Sequence, residues 1–202
     1  RLNASVKNVN FEIEFVVPKN IKLAVAEGKV SFYTTNSGTI LDDHTGYNRT
    51  IKIGGVNENA AQDNNPPTIQ LYMNDEAFIS GGITNDSPLL LAHLEDENGM
   101  NTASGIGHDM VGILDGDENN PFVLNEYYET EPNNFRKGLI KYPFQNLEKG
   151  LHTLTVKAWD VYNNLVTSDI QFVVAGNEAL ELDRVLNYPN PFVDYTEFWF
   201  QH

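Results

Sequence analysis

The sequence predicts an all-β chain whose central part is an immunoglobulin-like β-sandwich. Apolar and polar residues alternate with a period of two in several short segments, as in half-buried strands. Gly, Pro, Asn and Asp separate those segments as turn residues. No window holds the i, i+3, i+4, i+7 apolar pattern of an amphipathic helix, and the nearest stretch, 177–186, is short.

The first unit, residues 1–62, is expected to complete a β-domain that begins upstream. Its predicted strands cover residues 10–17, 21–25, 30–33 and 50–53. Four strands leave one sheet face without a partner, so the remaining strands are expected in preceding sequence. A start at Arg1, without Met or a signal-peptide pattern, also suggests an internal fragment.

The second unit, residues 66–176, is predicted to be the complete sandwich. A polar segment ending in Pro66-Pro67 separates it from the first unit, because paired prolines favour extended backbone over a folded core. A dense apolar run suits residues 89–94 to a central strand. The predicted strands are 69–73, 89–94, 110–114, 138–142, 151–159 and 170–174.

Residues 177–202 are interpreted as a linker and the first strand of a further, C-terminal β-domain. The linker runs to Asn187, and the alternation of Tyr195, Phe198 and Phe200 predicts a strand. The chain therefore reads as a sandwich preceded by a partial β-domain and followed by the start of another.

Charge and cysteine content exclude several classes of function. The formal net charge is −15, which repels phosphate backbones and argues against nucleic-acid binding. The acidity suits a solvated surface, divalent cations or a basic partner. The chain has no cysteine, so it holds no disulfide, thiolate metal site or cysteine nucleophile. No apolar stretch approaches the ~18 residues of a membrane span, and direct membrane insertion is not expected.

One segment has the spacing of a calcium-binding loop. Asp115, Asp117, Asn119 and Glu126 place oxygens at positions 1, 3, 5 and 12. Position 6 is Asn120 instead of Gly, and no helices flank the segment. These residues are therefore either calcium ligands or an ordinary acidic turn between strands, and no other cofactor is expected.

No catalytic residues are expected. The five histidines, at positions 44, 93, 108, 152 and 202, lack the i, i+2 or i, i+4 spacing that sets two imidazoles on one metal. Ser104, His108 and Asp109 combine a hydroxyl, an imidazole and a carboxylate, but they lie in a glycine-rich loop and are better explained by loop hydrogen bonds.

A cluster of aromatic residues also allows two interpretations. They form either a carbohydrate-stacking or partner-binding surface, or ordinary sheet packing, which is favoured. Trp159 is assigned to packing at a strand end. The cluster consists of Tyr127, Tyr128, Phe135, Tyr142 and Phe144.

Several segments of the second unit resemble a known family. They are residues 66–74, Gly81-Gly82, residues 104–109 and residues 150–164, joined by the segment 188–192. Together they resemble the region after the catalytic domain in the type IX secretion system sortase, a gingipain-like cysteine peptidase. The resemblance extends over most of residues 9–202, and segment 188–192 resembles the opening of a sorting-type or flagellar-hook-cap-type β-domain.

The resemblance implies a parent protein at the outer membrane surface that removes the C-terminal signals of exported cargo and joins the cargo to the cell surface. Its chemistry would belong to a Cys/His pair, which cannot be placed here because no cysteine exists. The chain would be a scaffold that contacts the upstream peptidase domain, the C-terminal domain, secretion-apparatus proteins and cargo signal domains. The alternative is a carbohydrate- or adhesin-type binding module of a cell-surface protein.

Overall fold

A computed structural model describes residues 1–8, 10–19, 25–36, 42–55, 57–103, 107–175, 183–188, 191 and 194–201. The architecture of these residues is all-β, as predicted. A single 3₁₀ turn, Asn125–Tyr127, is the one helical segment within these ranges.

Two small antiparallel ladders precede residue 66. They are formed by β1 (Ala26–Glu27), β2 (Val30–Thr35), β3 (Asp43–Asn48) and β4 (Lys52–Ile53), with β1 paired to β4 and β2 to β3. The strand predicted at 30–33 is confirmed, and that at 50–53 is reduced to β4. Strand β3 was not predicted, because its residues are polar or glycine except for Tyr47.

The strand predicted at residues 10–17 is wrong. Only an isolated bridge between Lys7 and Asn10 occurs there, and the backbone that follows pairs with no described strand. Phe11, Phe15 and Val17 are exposed, with Phe11 at 45%. Alternation provides an apolar face, but a strand also needs a neighbour that supplies hydrogen bonds. Most of the predicted strand 21–25 lies outside the described residues.

Residues 68–174 form two facing sheets. Their strands are β5 (Thr68–Met73), β6 (Ile83–Thr84), β7 (Leu89–Glu95), β8 (Val111–Leu114), β9 (Phe122–Val123), β10 (Tyr128–Glu131), β11 (Asn134–Pro143), β12 (Gly150–Trp159) and β13 (Leu165–Val174). One sheet has the order β10-β11-β7-β5, and the other β6-β13-β12-β8-β9. Pairing is antiparallel except between β6 and β13. The predicted central position of β7 is confirmed.

The core lies between these sheets and follows the two-residue period. Strand β7 contributes Leu90, Ala92 and Leu94, which are buried together. Burying a leucine side chain contributes about 1.5–3 kcal/mol, so these residues stabilise the packing of the two sheets. The same face receives alternate residues of the opposite sheet: Leu154, Val156, Ala158, Ile170, Phe172 and Val174.

Strand β10 and the glycine opposite it show how closely this core is packed. Tyr128 is buried, and its ring lies over Gly138, where an added Cβ would be 2.4 Å from Tyr128 Cζ. Only glycine leaves room for the ring at that position. Strand β10 was not predicted, because it has only two inward-facing residues, Tyr128 and Thr130, which alternate with Glu129 and Glu131.

The first residues of the chain lie along the outer edge of β10. Thr130 Oγ1 accepts a hydrogen bond of 3.0 Å from Asn3 N, and Asn3 Nδ2 donates to Thr130 O. Ser5 N donates to Asn133 Oδ1 at 2.8 Å. These contacts cover an edge strand that would otherwise present unpaired backbone groups.

After the sandwich, β14 (Asp183–Tyr188) and β15 (Glu197–Gln201) form an antiparallel pair. The predicted strand near residues 195–200 is confirmed as β15. The linker predicted up to Asn187 is wrong in its last residues, which belong to β14. Pairing of β14 with β15 satisfies backbone N–H and C=O groups that would bond to solvent in a linker.

Candidate metal centre

The segment with calcium-loop spacing forms ordinary turn contacts. Asp115 follows β8, accepts a 2.8 Å hydrogen bond from Thr153 N through Oδ1, and contacts His152 through Oδ2. Asp117 accepts from Asn119 N and from Asn120 Nδ2. Glu126 is exposed in the 3₁₀ turn beyond β9. The structure does not bring these carboxylates together, and calcium binding there stays a prediction.

Asp115, which is itself exposed, instead pairs with a buried histidine. His152 faces the core beside Phe172, its Nδ1 is 2.7 Å from Asp115 Oδ2, and its Nε2 is 2.7 Å from Glu148 O. Burial lowers the pKa of His152, but the hydrogen bonds to Glu148 and Asp115 outweigh it and raise that pKa overall. Both ring nitrogens face oxygen acceptors, which favours the doubly protonated ring.

The Ser-His-Asp combination in the glycine-rich loop falls partly outside the described residues, because Ser104 is not among them. The ring of His108 packs edge-on against Trp159 at 5.6 Å between centroids. Elsewhere, His44 contacts Asp42 and His93 contacts Glu76. His202 also lies outside the described residues.

Most residues of the predicted aromatic cluster pack against other residues of the sandwich. Tyr128 and Phe144 are buried, and Tyr142 contacts both Tyr127 and Phe144 with ring centroids 4.7 and 5.0 Å apart. Phe135 contacts the loop at Gly99. The packing interpretation therefore accounts for the cluster, and Tyr127 is the exposed member.

A different acidic cluster appears where three loops meet at one end of the sandwich. Asp63, Asp96 and Asp160 each contribute one carboxylate oxygen, and these oxygens lie within 4.8 Å of one another. Among the described residues, no other group of three His, Asp or Glu side chains meets this criterion. Asp63 precedes the proline pair, Asp96 follows β7 and Asp160 follows β12, so the cluster joins the connecting segment to both sheets.

Local turns hold Asp96 and Asp160 rigidly. Asp96 Oδ1 accepts from the backbone nitrogens of Asn98 and Gly99, at 2.8 and 2.9 Å. Asp160 Oδ1 accepts from Tyr162 N and Asn164 N, at 2.9 and 2.7 Å. A carboxylate followed by a turn residue adopts this arrangement readily, because its oxygens satisfy backbone donors two to four residues onward.

Two asparagines connect the three carboxylates. Asn98 Nδ2 donates to Asp63 Oδ2 at 2.7 Å, while Asn164 Nδ2 donates to Asp160 Oδ2 at 2.7 Å and to Asp63 O at 3.2 Å. Asp63 Oδ1 accepts from Asn65 N. The connecting segment is thus tied to the ends of β7 and β12 through amide groups alone.

The cluster places carboxylates close to one another in a buried part of the protein. Asp96 and Asp160 are 3% and 0% exposed. Burial, with a contribution from the charge of Asp160, raises the pKa of Asp96 to about 6. Within the described part of the chain, none of the ion pairs involves these three carboxylates.

Sequence reasoning missed this cluster because its members are far apart along the chain. Each does have a local signal, since an Asp stands before an Asn-rich turn: Asp63 before Asn64-Asn65, Asp96 before Asn98-Gly99, and Asp160 before Asn163-Asn164. Such turns are common on loops, and only the packing of the two sheets brings the three together.

Comparison with known proteins gives one informative similarity. No family model matches the sequence, and no curated protein matches it. The crystal structure of dimeric latent PorU from Porphyromonas gingivalis is similar to the chain, with 33% identical residues and a TM-score of 0.56. The similarity covers 95% of this chain and 18% of the PorU chain, so the chain spans less than a fifth of that protein's length.

The chain is therefore similar in sequence and fold to one part of the PorU chain. This sequence has no cysteine and so has no cysteine active site. Among the described residues, no helix is long and apolar enough to cross a membrane.

Proposed function

We propose that this chain is the non-catalytic β-sandwich region of a surface sortase of the gingipain-like peptidase family. Its parent would process the C-terminal signals of type IX secreted cargo and attach that cargo to the cell surface at the outer membrane. The observation that carries the proposal is the 33% identity to PorU over 95% of the chain.

The role proposed for the region is to act as a scaffold and to contact partners. A sandwich with a continuous buried core is a rigid spacer, because its relative strand positions are fixed by packing. It would hold the upstream peptidase domain and a C-terminal domain at a set distance. Secretion-apparatus proteins and cargo signal domains are the proposed external partners.

The carbohydrate- or adhesin-type module has no observation in its favour. It relied on an exposed aromatic surface, and most of that cluster packs within the sandwich. Function is argued from sites, and the sandwich architecture by itself is shared by many unrelated functions.

The test is to replace residues 66–176 of the parent protein with an unrelated β-sandwich of similar length. Cleavage of a soluble peptide that carries a cargo signal is expected to persist, because the chemistry lies elsewhere. If the region contacts partners, the replacement is expected to reduce processing and surface attachment of cargo in cells. If the region acts only as a spacer, the replacement is expected to preserve both, whereas a deletion of the region is not.

A simple deletion of residues 66–176 completes the test. Under either form of the proposal it removes cargo processing and surface attachment, which immunoblots of cell fractions would measure. Intact processing and attachment after that deletion would contradict the proposal.

A further inference from the structure

We propose that Asp63, Asp96 and Asp160 bind a calcium ion that fastens the connecting segment before Pro66 to both sheets of the sandwich. The proposal does not depend on the function proposed above. It rests on the geometry of the cluster and on one buried oxygen that has no partner.

The spacing of the cluster fits a cation of this size. Ca²⁺ binds oxygen at about 2.3–2.6 Å, so two oxygens on opposite sides of the ion stand about 4.8 Å apart. The three carboxylate oxygens lie within 4.8 Å of one another. They can therefore all contact one ion placed between them after small side-chain adjustments.

The unpartnered oxygen belongs to Asp96. Its side chain is almost fully buried, Oδ1 accepts two backbone hydrogen bonds, and Oδ2 accepts none. An unsatisfied buried carboxylate oxygen costs several kcal/mol in general, and native proteins seldom retain one. A water molecule can donate hydrogen bonds to two such oxygens, but it does not offset the negative charge of three neighbouring carboxylates. A divalent cation coordinates the oxygens and offsets most of that charge.

The donor set selects a hard cation. All three ligands are carboxylates, and no cysteine exists in the chain, which disfavours zinc and softer metals. Mg²⁺ demands near-ideal octahedral geometry at 2.0–2.1 Å, while Ca²⁺ accepts six to eight oxygens in irregular arrangements. Oxygens contributed by three separate loops suit the more tolerant ion.

Further oxygens are available beside the carboxylates. Asn98 and Asn164 now donate their amide hydrogens to Asp63 and Asp160. Rotation about the last side-chain bond exchanges the NH₂ group for the amide oxygen, which is a calcium ligand. These amides hold the carboxylates together without a cation and complete the coordination with one.

Calcium bound at this cluster would restrain the connecting segment mechanically. Asp63 lies on the connecting segment, Asp96 at the end of β7 in one sheet and Asp160 at the end of β12 in the other. A bound ion would link all three, so the segment at residues 57–67 would lose freedom relative to the sandwich. Calcium would set the stiffness of the junction between the first unit and the second.

The experiment is a titration of the whole chain, stripped of metal by a chelator, with CaCl₂ and separately with MgCl₂. Calorimetry is expected to show saturable Ca²⁺ binding and much weaker Mg²⁺ binding. At a hundredfold excess over the dissociation constant, Ca²⁺ is expected to raise the melting temperature by roughly 5–10 °C. Hydrogen exchange across residues 57–67 is expected to slow in parallel.

Substitutions locate the ion. Asp63→Asn and Asp96→Asn are each expected to weaken Ca²⁺ binding at least about tenfold, because each removes a charged ligand. Asp63 is only half-buried, so its variant is expected to fold normally even if the Asp96 variant does not. The matched control is Asp75→Asn, an exposed Asp that likewise caps a turn by accepting from Ala77 N.

Three outcomes would overturn the proposal. They are the absence of saturable Ca²⁺ binding in the intact chain, equal binding by the intact chain and the Asp63→Asn variant, and loss of binding in Asp117→Asn with retention in Asp63→Asn. The last result would place the ion in the segment 115–126 instead. Terbium luminescence sensitised by Trp159, which precedes Asp160, gives a second readout that Ca²⁺ should compete away.

Discussion

Residues 10–17 and residues 170–174 have the same alternating pattern and reach opposite outcomes. Phe172 is 0% exposed between two sheets, while Phe11 is 45% exposed on a segment that forms no strand. The difference lies in the neighbours, because β13 pairs along its whole length with β12 and packs across the core from β5. Alternation makes a segment able to form a strand, and the surrounding sheet decides whether it does.

The largest expected effect separates these two phenylalanines. Phe172→Ala leaves a cavity in a closely packed core and should lower the free energy of unfolding by about 3–5 kcal/mol. Phe11→Ala, which loses a ring contact with Phe32 at a site that is 45% exposed, should change it by less than about 1 kcal/mol. Urea denaturation followed by circular dichroism measures both. Similar losses in the two variants would mean that residues 10–17 belong to a core after all.

An intermediate effect is expected at two glycines, one in the sandwich and one in the first unit. Gly138→Ala forces the Tyr128 ring out of its place and should cost about 1–3 kcal/mol through overpacking. Gly46→Ala, on β3 with no atom within 4 Å of an added Cβ, should change stability by less than about 0.5 kcal/mol. Thermal melting of the two variants makes the comparison, and an unchanged Gly138→Ala protein would show that the ring is free to move.

The smallest expected effect is a pH dependence that belongs to the sandwich. The pKa of His152 is raised above its ordinary value of 6.5 in the folded chain. The protonated ring therefore contributes stability that is fully present below about pH 6.5 and is lost as the pH rises through the folded-state pKa. His152→Gln should remove this loss, and the difference between wild type and variant isolates it from other groups.

The control for that measurement is His44→Gln on the first unit, where the histidine is exposed beside Asp42. The wild-type chain and this control should lose stability alike as the pH rises from 6 to 9, measured by urea denaturation at each pH. A His152→Gln variant with the same pH profile as wild type would contradict the assigned role of the ring.

Much of the sandwich followed from the sequence. The strands at 69–73, 89–94, 110–114 and 151–159 were placed to within a few residues, since each combines an apolar face with flanking turn residues. Strands β3 and β10 were missed because their pattern is weak, and β14 was read as linker. Those strands are stabilised by pairing with neighbouring strands in a fixed register. Neither the partner strand nor the register can be predicted from one segment of sequence alone.

The two candidate metal sites also differ in how far the sequence predicts them. The spacing of Asp115, Asp117, Asn119 and Glu126 is visible in the sequence, but the turn after β8 directs Asp115 towards His152 and leaves Glu126 exposed beyond β9. The cluster of Asp63, Asp96 and Asp160 has no spacing to recognise. The three turns come together because the segments that follow β7 and β12, in the two facing sheets, approach each other, as the bridge between Met100 and Asp160 shows.

The sequence by itself determined the all-β class, the absence of any thiol chemistry and the dense central strand, because these depend on composition and on the local two-residue period. Tertiary structure alone decided which alternating segments are buried, why Gly138 must be glycine, and which carboxylates meet. Those features depend on contacts between residues distant in sequence, and such contacts form only when strands pair and the two sheets pack face to face.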